Sequence, residues 1–274
     1  MLTLLAIGAA MLVLFTVAQR RTAQPLLPLG VLLDRTRGGA FLAIGLPQLA
    51  LFGFFLVLTY WFQQLLGYTP IRAGLAFLPL AVAIAIGSTL IAGMLAPRLA
   101  PRTLIVPALV VMAAGMALLV GLTPGTPQLY LTRFLPAEIL IGLGLGCATT
   151  PAVSAATSGV SGDDTGAASA AVNAVVQLGG SIGTALLNTV AATATAAALS
   201  MSATSDGTGV DDATVAGFDA ALLTAAALLL LAAITVALVM PGASRPRPAG
   251  RAAQTQERER GVPPEEKDET GQCP

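Results

Sequence analysis

Histidine is absent from the 274 residues, lysine occurs once, at Lys267, and charged side chains make up only 10% of the chain. The missing imidazole removes the commonest general base, metal ligand and pH switch together. With its one lysine in the terminal region, the chain has no Walker lysine to hold nucleotide phosphates, so it does not hydrolyse ATP. Fourteen basic and fourteen acidic residues cancel. No basic field therefore attracts nucleic acid, and no such partner is expected. Neither cysteine, Cys147 in an apolar run or Cys273 beside the C-terminus, has metal-ligand spacing around it. No metal site, cofactor or structural disulfide is expected. Aromatic residues are few, at 5%, with a single tryptophan.

Apolar residues make up 55% of the chain, and the mean hydropathy is +0.81. Seven stretches approach or exceed the ~20 residues needed to cross a ~30 Å hydrocarbon layer. They cover 2–18, 41–66, 75–96, 104–122, 129–148, 167–199 and 218–240. The reading is an all-α integral membrane protein. One extra transmembrane helix and a cytoplasmic linker (1–40) precede a six-helix bundle (41–241), and a disordered cytoplasmic tail follows (242–274). The first stretch lacks a basic n-region and a small-residue cleavage site, so it reads as a stop-transfer helix and not a signal peptide. The sixth is long enough to hold an extra turn or two outside the bilayer. Residues 200–216, with Asp206, Asp211 and Asp212, read as an external loop.

Alternating the loops across the membrane puts every basic residue except Arg72 and Arg133 on one side. The positive-inside rule makes that side cytoplasmic. The N-terminus is then outside and the C-terminus inside, in a multi-pass protein of the plasma membrane. Abundant Gly and Ala fit this setting, because small residues let helices approach closely where lipid gives no hydrophobic drive for association.

Polar residues inside the spans are the candidates for function. Gln48, Phe52, Phe55, Thr59 and Gln63 follow at helical spacing, so one face carries amides, a hydroxyl and two rings. Such a face can receive an amphipathic molecule; equally, Gln63 and Gln64 can mark the outer interface with Tyr60 and Trp61 while the phenylalanines face lipid. A second stripe, Asn173, Gln177, Ser181, Thr184 and Asn188, is expected to point into the bundle, as helix-to-helix glue or as solute contact. Glu138 lies about 13 Å deep at 1.5 Å per residue, close to the midplane, where its charge costs roughly 2.5–3.5 kcal/mol on insertion scales. A hydrated cavity or a bound proton relieves that cost, which is what a proton-coupling site requires; the plainer reading is an acid at the outer interface. Arg133 points elsewhere and is expected to snorkel.

Two motif matches carry nothing. Gly179-Gly180-Ser181-Ile182-Gly183 has the pattern of a serine hydrolase elbow, but no histidine exists to take the serine proton. Gly142, Gly144 and Gly146 suggest a dinucleotide fingerprint, yet they sit in an apolar span with no strand before them. No enzyme chemistry is expected, and any transport must be secondary.

The run from Tyr60-Trp61-Phe62-Gln63-Gln64 through Gly67-Tyr68-Thr69-Pro70 to Arg72-Ala73-Gly74 and Leu78-Pro79-Leu80 resembles the external hairpin of fourteen-helix drug:proton antiporters of the major facilitator superfamily. The segment from Asn173 to Ala185 is similar to that family's penultimate helix, and 24–29 with Asp34-Arg35 to its cytoplasmic link. The turn 93–102 resembles the superfamily's loop motif in degenerate form: Gly93, Arg98 and Arg102 match, while Pro97 replaces an aspartate and Ala100 a glycine. The resemblance implies the C-terminal half of a secondary transporter exporting hydrophobic or cationic drugs in exchange for protons. Gln48, Phe52, Phe55, Thr59, Asn173 and Gln177 would line its cavity, and Glu138 would carry the proton. It implies partners as well: the bilayer, a small solute, and either the missing N-terminal half or a second subunit. The rival readings are a truncated, non-transporting fragment and a membrane protein whose polar stripes serve packing or partner binding.

Overall fold

The computed structural model describes residues 35–123, 128–158, 165–201 and 207–240, together with residues 7, 8, 10, 11, 13, 14 and 17, which are helical. Apart from those seven positions, the first expected span, the link before residue 35 and the tail 242–274 lie outside the described residues. Six helices are long and apolar enough to cross a membrane: α1 Gly38–Leu65, α2 Pro70–Leu95, α3 Pro101–Leu118, α4 Tyr130–Thr157, α5 Gly166–Met201 and α6 Gly209–Val239. No strand occurs among the described residues. Helices are the expected solution, because in hydrocarbon a backbone must satisfy its own polar groups.

Local chemistry fixes several ends. Thr69 caps α2, its Oγ1 accepting from the Arg72 backbone N–H at 3.3 Å, and Pro70 takes the first helical position, where no N–H is needed. Pro101 does the same for α3. Gly67 and Gly121, at φ 62° and 73°, make the left-handed turns after α1 and α3 that a side chain would strain. Pro47, Pro107 and Pro151 lie inside helices, and α1, α2 and α4 each contain a π-wound stretch.

Two expectations of extent need correction. Residues 207–216 are helical and continue into α6, so Asp211 and Asp212 belong to that helix and not to a loop. The fifth expected span, α4, runs to Thr157, beyond the expected end at 148. The long sixth span is one continuous helix, Thr165–Met201.

The centre of the bundle is α1, α3, α4 and α6; α2 packs chiefly on α4, and α5 on α1 and α6. Glycines permit the tightest crossings. A Cβ on Gly142 would lie 2.6 Å from the Leu80 carbonyl oxygen, and one on Gly87 2.6 Å from that of Leu143, so α2 and α4 touch backbone to backbone. Gly45, Gly179 and Gly183 perform the same task between α1 and α5. At one end an aromatic cluster closes the core, with Phe62 against Phe134 (5.1 Å between centroids), Phe77 (5.5 Å) and Tyr68 (5.7 Å). Trp61 is buried there, so it is a core residue and not an interfacial anchor. Tyr130 ties α4 to α2 by donating to the Ala76 carbonyl at 2.9 Å.

Candidate functional site

The face of α1 predicted from spacing is divided by its neighbours. Phe55, Thr59 and Gln63 line a 380 Å³ recess near the aromatic end, with Leu56, Tyr60 and Gln64. Phe55 is partly buried, its ring 5.2 Å from that of Phe77. Phe52 lies against Gly180 of α5 and remains 40% exposed. Gln48, deeper in the helix, belongs to a different recess of 510 Å³ between α1, α2 and α4. Its Oε1 is buried and accepts no hydrogen bond.

Sequence reasoning missed the other polar members of that second recess: Ser88 from α2, and Thr149 and Thr150 from α4. The glycine crossing at Gly87 and Gly146 brings the two helices close enough to place them together. The two threonines fall just past the expected end of the fifth span, and a lone serine in the third carries no periodic signal.

The stripe on α5 points the other way from expectation. Asn173, Gln177, Ser181 and Asn188 are exposed and Thr184 half-buried, while Ala171, Gly179, Gly180, Gly183 and Leu187 face the bundle. Close packing selects the smallest side chains, so the glycine side of α5 faces inward and the amide side outward. The stripe is therefore surface and not interior glue within these six helices. Asn173 bonds only back along its own helix, to the Ser169 carbonyl at 3.3 Å, and the Gln177 carbonyl accepts from Ser181 Oγ at 2.8 Å. Only 28% of the apolar window of α5, and of α2, is covered by the rest of the protein.

Glu138 is fully buried, and neither carboxyl oxygen has a hydrogen-bond partner. Counting along α4 puts it about 12 Å from that helix's first residue, toward the aromatic end. Arg133 does not pair with it: its Nη1 donates to the Leu118 carbonyl at 3.2 Å, at the end of α3. The Tyr130 phenol is within electrostatic range of Glu138. A second acid escaped sequence reasoning: Asp219, half-buried in α6, accepts the Gly121 backbone N–H at 3.0 Å.

At the opposite end, Arg98 donates to the Met94 carbonyl at 3.4 Å within its own turn, and Gly93 is exposed. Arg102 reaches the Met240 carbonyl at 3.5 Å, a cation against the C-terminal end of α6. These arginines therefore contact helix carbonyls at the turn where Pro97 stands in place of an acid.

The family model described as Major Facilitator Superfamily matches residues 1–184, about two thirds of the chain. The chain belongs to this superfamily. With six apolar helices of spanning length, it is a multi-pass membrane member. Among curated superfamily relatives, it is 54% identical to the puromycin resistance protein pur8 of Streptomyces alboniger over 231 residues, which is 84% of this chain and 46% of that protein. It is 32% identical to the cephamycin export protein CmcT of Amycolatopsis lactamdurans over 250 residues, 90% of this chain and 48% of that protein. With the multidrug efflux pump LfrA of Mycolicibacterium smegmatis it shares 31% identity over 189 residues, 68% and 36% respectively. The chain thus spans less than half the length of these superfamily relatives.

Proposed function

We propose that residues 41–241 are the C-terminal bundle of a fourteen-helix drug:proton antiporter. In this reading the protein sits in the plasma membrane with its N-terminus outside and the Arg98 turn and tail in the cytoplasm, and it exports amphipathic, hydrophobic or cationic solutes. The relative with 54% identity suggests puromycin as the first solute to try. The bundle supplies one wall of a cavity, and a second six-helix half supplies the other. Gln48, Phe52, Phe55, Thr59, Asn173 and Gln177 line the wall, Glu138 carries the exchanged proton, and Gly93, Arg98 and Arg102 shape the cytoplasmic turn. Transport is driven by the proton gradient, and no step is enzymatic.

One observation carries the proposal: the amides of α5 face away from the bundle. Amides exposed to lipid leave donors and acceptors unsatisfied, at several kcal/mol per group, so the face needs water, solute or a second half. Glu138 adds to the case, because its ionised form has no balancing partner in this packing.

The test is a chimera in which this chain replaces the matching region of the Streptomyces alboniger protein. Everted vesicles carrying the chimera should accumulate puromycin when a pH gradient is imposed, and vesicles carrying this chain alone should not. Asn173→Leu with Gln177→Leu should reduce the initial rate by about tenfold, the scale of one or two lost polar contacts. A chimera that inserts but moves no puromycin under any gradient overturns the reading.

A further inference from the structure

Glu138 is sealed from solvent, yet one hydroxyl stands between it and a recess at the aromatic end. The crossing of α2 and α4 sets the register. A Cβ on Gly146 would meet the Ile84 carbonyl and one on Gly142 the Leu80 carbonyl, so a step of four on one helix matches a step of four on the other. One turn nearer the aromatic end, the same step sets Glu138 level with Ala76. The Ala76 carbonyl is the one that accepts from the Tyr130 hydroxyl, at 2.9 Å. Both helices are irregular at this level. α2 is interrupted at Phe77, between the helical segments Pro70–Ala76 and Leu78–Ala85, and α4 opens with the π-wound residues Tyr130–Phe134. In an unbroken α-helix, positions 130 and 138 would stand roughly 80° apart around the axis. A π-turn takes up one extra residue, so the two behave as an i, i+7 pair and share a face.

Tyr130 is half-buried and lines a 270 Å³ recess with Tyr68, Arg72, Leu75 and Ala76. Its phenol is within electrostatic range of Glu138. The other ionisable groups on the neighbouring elements are engaged elsewhere. Arg133 donates to the Leu118 carbonyl, Asp219 accepts from the Gly121 N–H, Tyr60 of α1 packs on Phe218, and Arg102 of α3 lies at the opposite end on the Met240 carbonyl. Arg72 sits over the Tyr68 ring, 4.1 Å from its centroid. A guanidinium in so small a recess repels sodium and potassium, whereas a proton needs only a chain of hydroxyl and water along which to hop. From this geometry we infer that Tyr130 is the group through which Glu138 exchanges its proton with the outer side, by way of the recess it shares with Tyr68 and Arg72. A hydronium ion in the recess gives a proton to a lone pair of the phenol oxygen while the O–H proton, released from the Ala76 carbonyl, passes to the carboxylate directly or over a single water. The phenol ends neutral, water stays in the recess, and the acid is protonated. The inference rests on the transport reading, in which Glu138 carries the proton, and adds the side and the route.

The test uses the full chain in nanodiscs and follows the C=O stretch of the Glu138 acid by infrared spectroscopy, at a pH low enough for that band to appear. Glu138→Gln identifies the band by removing it. On changing from light to heavy water the band shifts as COOH becomes COOD, and the rate of the shift is the rate at which the carboxyl exchanges its proton. Tyr130→Phe should slow it about a hundredfold, the lower end of what a positioned proton-transfer group contributes. A purely structural tyrosine gives the opposite sign, because losing the tie to Ala76 loosens α2 from α4 and admits water. Leu75→Trp, which fills the recess and keeps the hydroxyl, should also slow exchange, and it serves if Tyr130→Phe does not fold. Ser88→Val, in the other recess beside α2 and α4, should leave the rate unchanged.

Unchanged or faster exchange in Tyr130→Phe would overturn the inference. So would a Ser88→Val chain slowed as much as Leu75→Trp, since the route would then run from the cytoplasmic side. Neither result touches the antiporter reading, which fails separately. Tyrosine-dependent exchange in a chain whose chimera moves no puromycin would retain the proton route and remove the antiporter. If Glu138→Gln removes no band at any pH at which the chain stays folded, Glu138 carries no proton and both are overturned.

Discussion

Glu138 concentrates the residue-scale argument. A carboxyl with 0% exposure and two unpartnered oxygens is costly when ionised, and replacing it with an amide removes the charge but retains the shape. In the chimera, Glu138→Gln should therefore leave the melting temperature equal or higher and abolish the dependence of puromycin movement on the pH gradient. Parallel measurement of thermal unfolding and gradient-driven flux checks this. A destabilised protein that keeps its gradient dependence would make Glu138 a packing residue. The position of this acid was legible in the sequence because a lone charge in a long apolar run stands out. Asp219 was not, since it opens a span beside several acids and looks like more of the same loop. Its partner, the Gly121 N–H, is 98 positions away in sequence, and no local pattern joins the two.

At the scale of elements, hydropathy made the six helices legible almost to their ends. The misses have a common cause. Thr149, Thr150 and Pro151 look like the end of a span, yet the threonine hydroxyls bond back to α4 and the helix continues to Thr157. The orientation of α5 was illegible for a different reason. Spacing shows that Asn173, Gln177 and Ser181 share a face, but which face is covered depends on where α1 approaches most closely, and Gly179 and Gly183 decided that. The crossing of α2 on α4 has the same dependence. Gly142→Val would drive methyl groups into the Leu80 carbonyl and should cost about 1–3 kcal/mol, read as a lowered unfolding midpoint in detergent. Gly74→Ala, where a Cβ meets nothing within 4 Å, should leave the midpoint unchanged. Equal sensitivity at both glycines would contradict the packing described for α2 and α4.

For the whole molecule, the uneven covering of the helices carries most meaning. Four helices surround a common core, while α2 and α5 flank it with most of their apolar windows uncovered, and α5 carries its amides on the open side. A second half placed against those flanks would enclose Gln48, Phe52 and Gln177 in one aqueous passage, whereas lipid in the same place would leave the amides unsatisfied. Thiol accessibility in the chimera distinguishes the two most directly. With Cys147 and Cys273 replaced, single cysteines at Gln177 and Ser181 are compared with cysteines at Leu178 and Ile182, their exposed apolar neighbours. Cysteines at Arg72 and Arg98 mark the two sides of the membrane. A membrane-impermeant maleimide should modify positions 177 and 181, with protection by puromycin, and leave 178 and 182 unmodified. Equal resistance of all four positions, with Arg72→Cys and Arg98→Cys reactive, would mean that the amide face of α5 meets lipid and that no solute pathway runs along it.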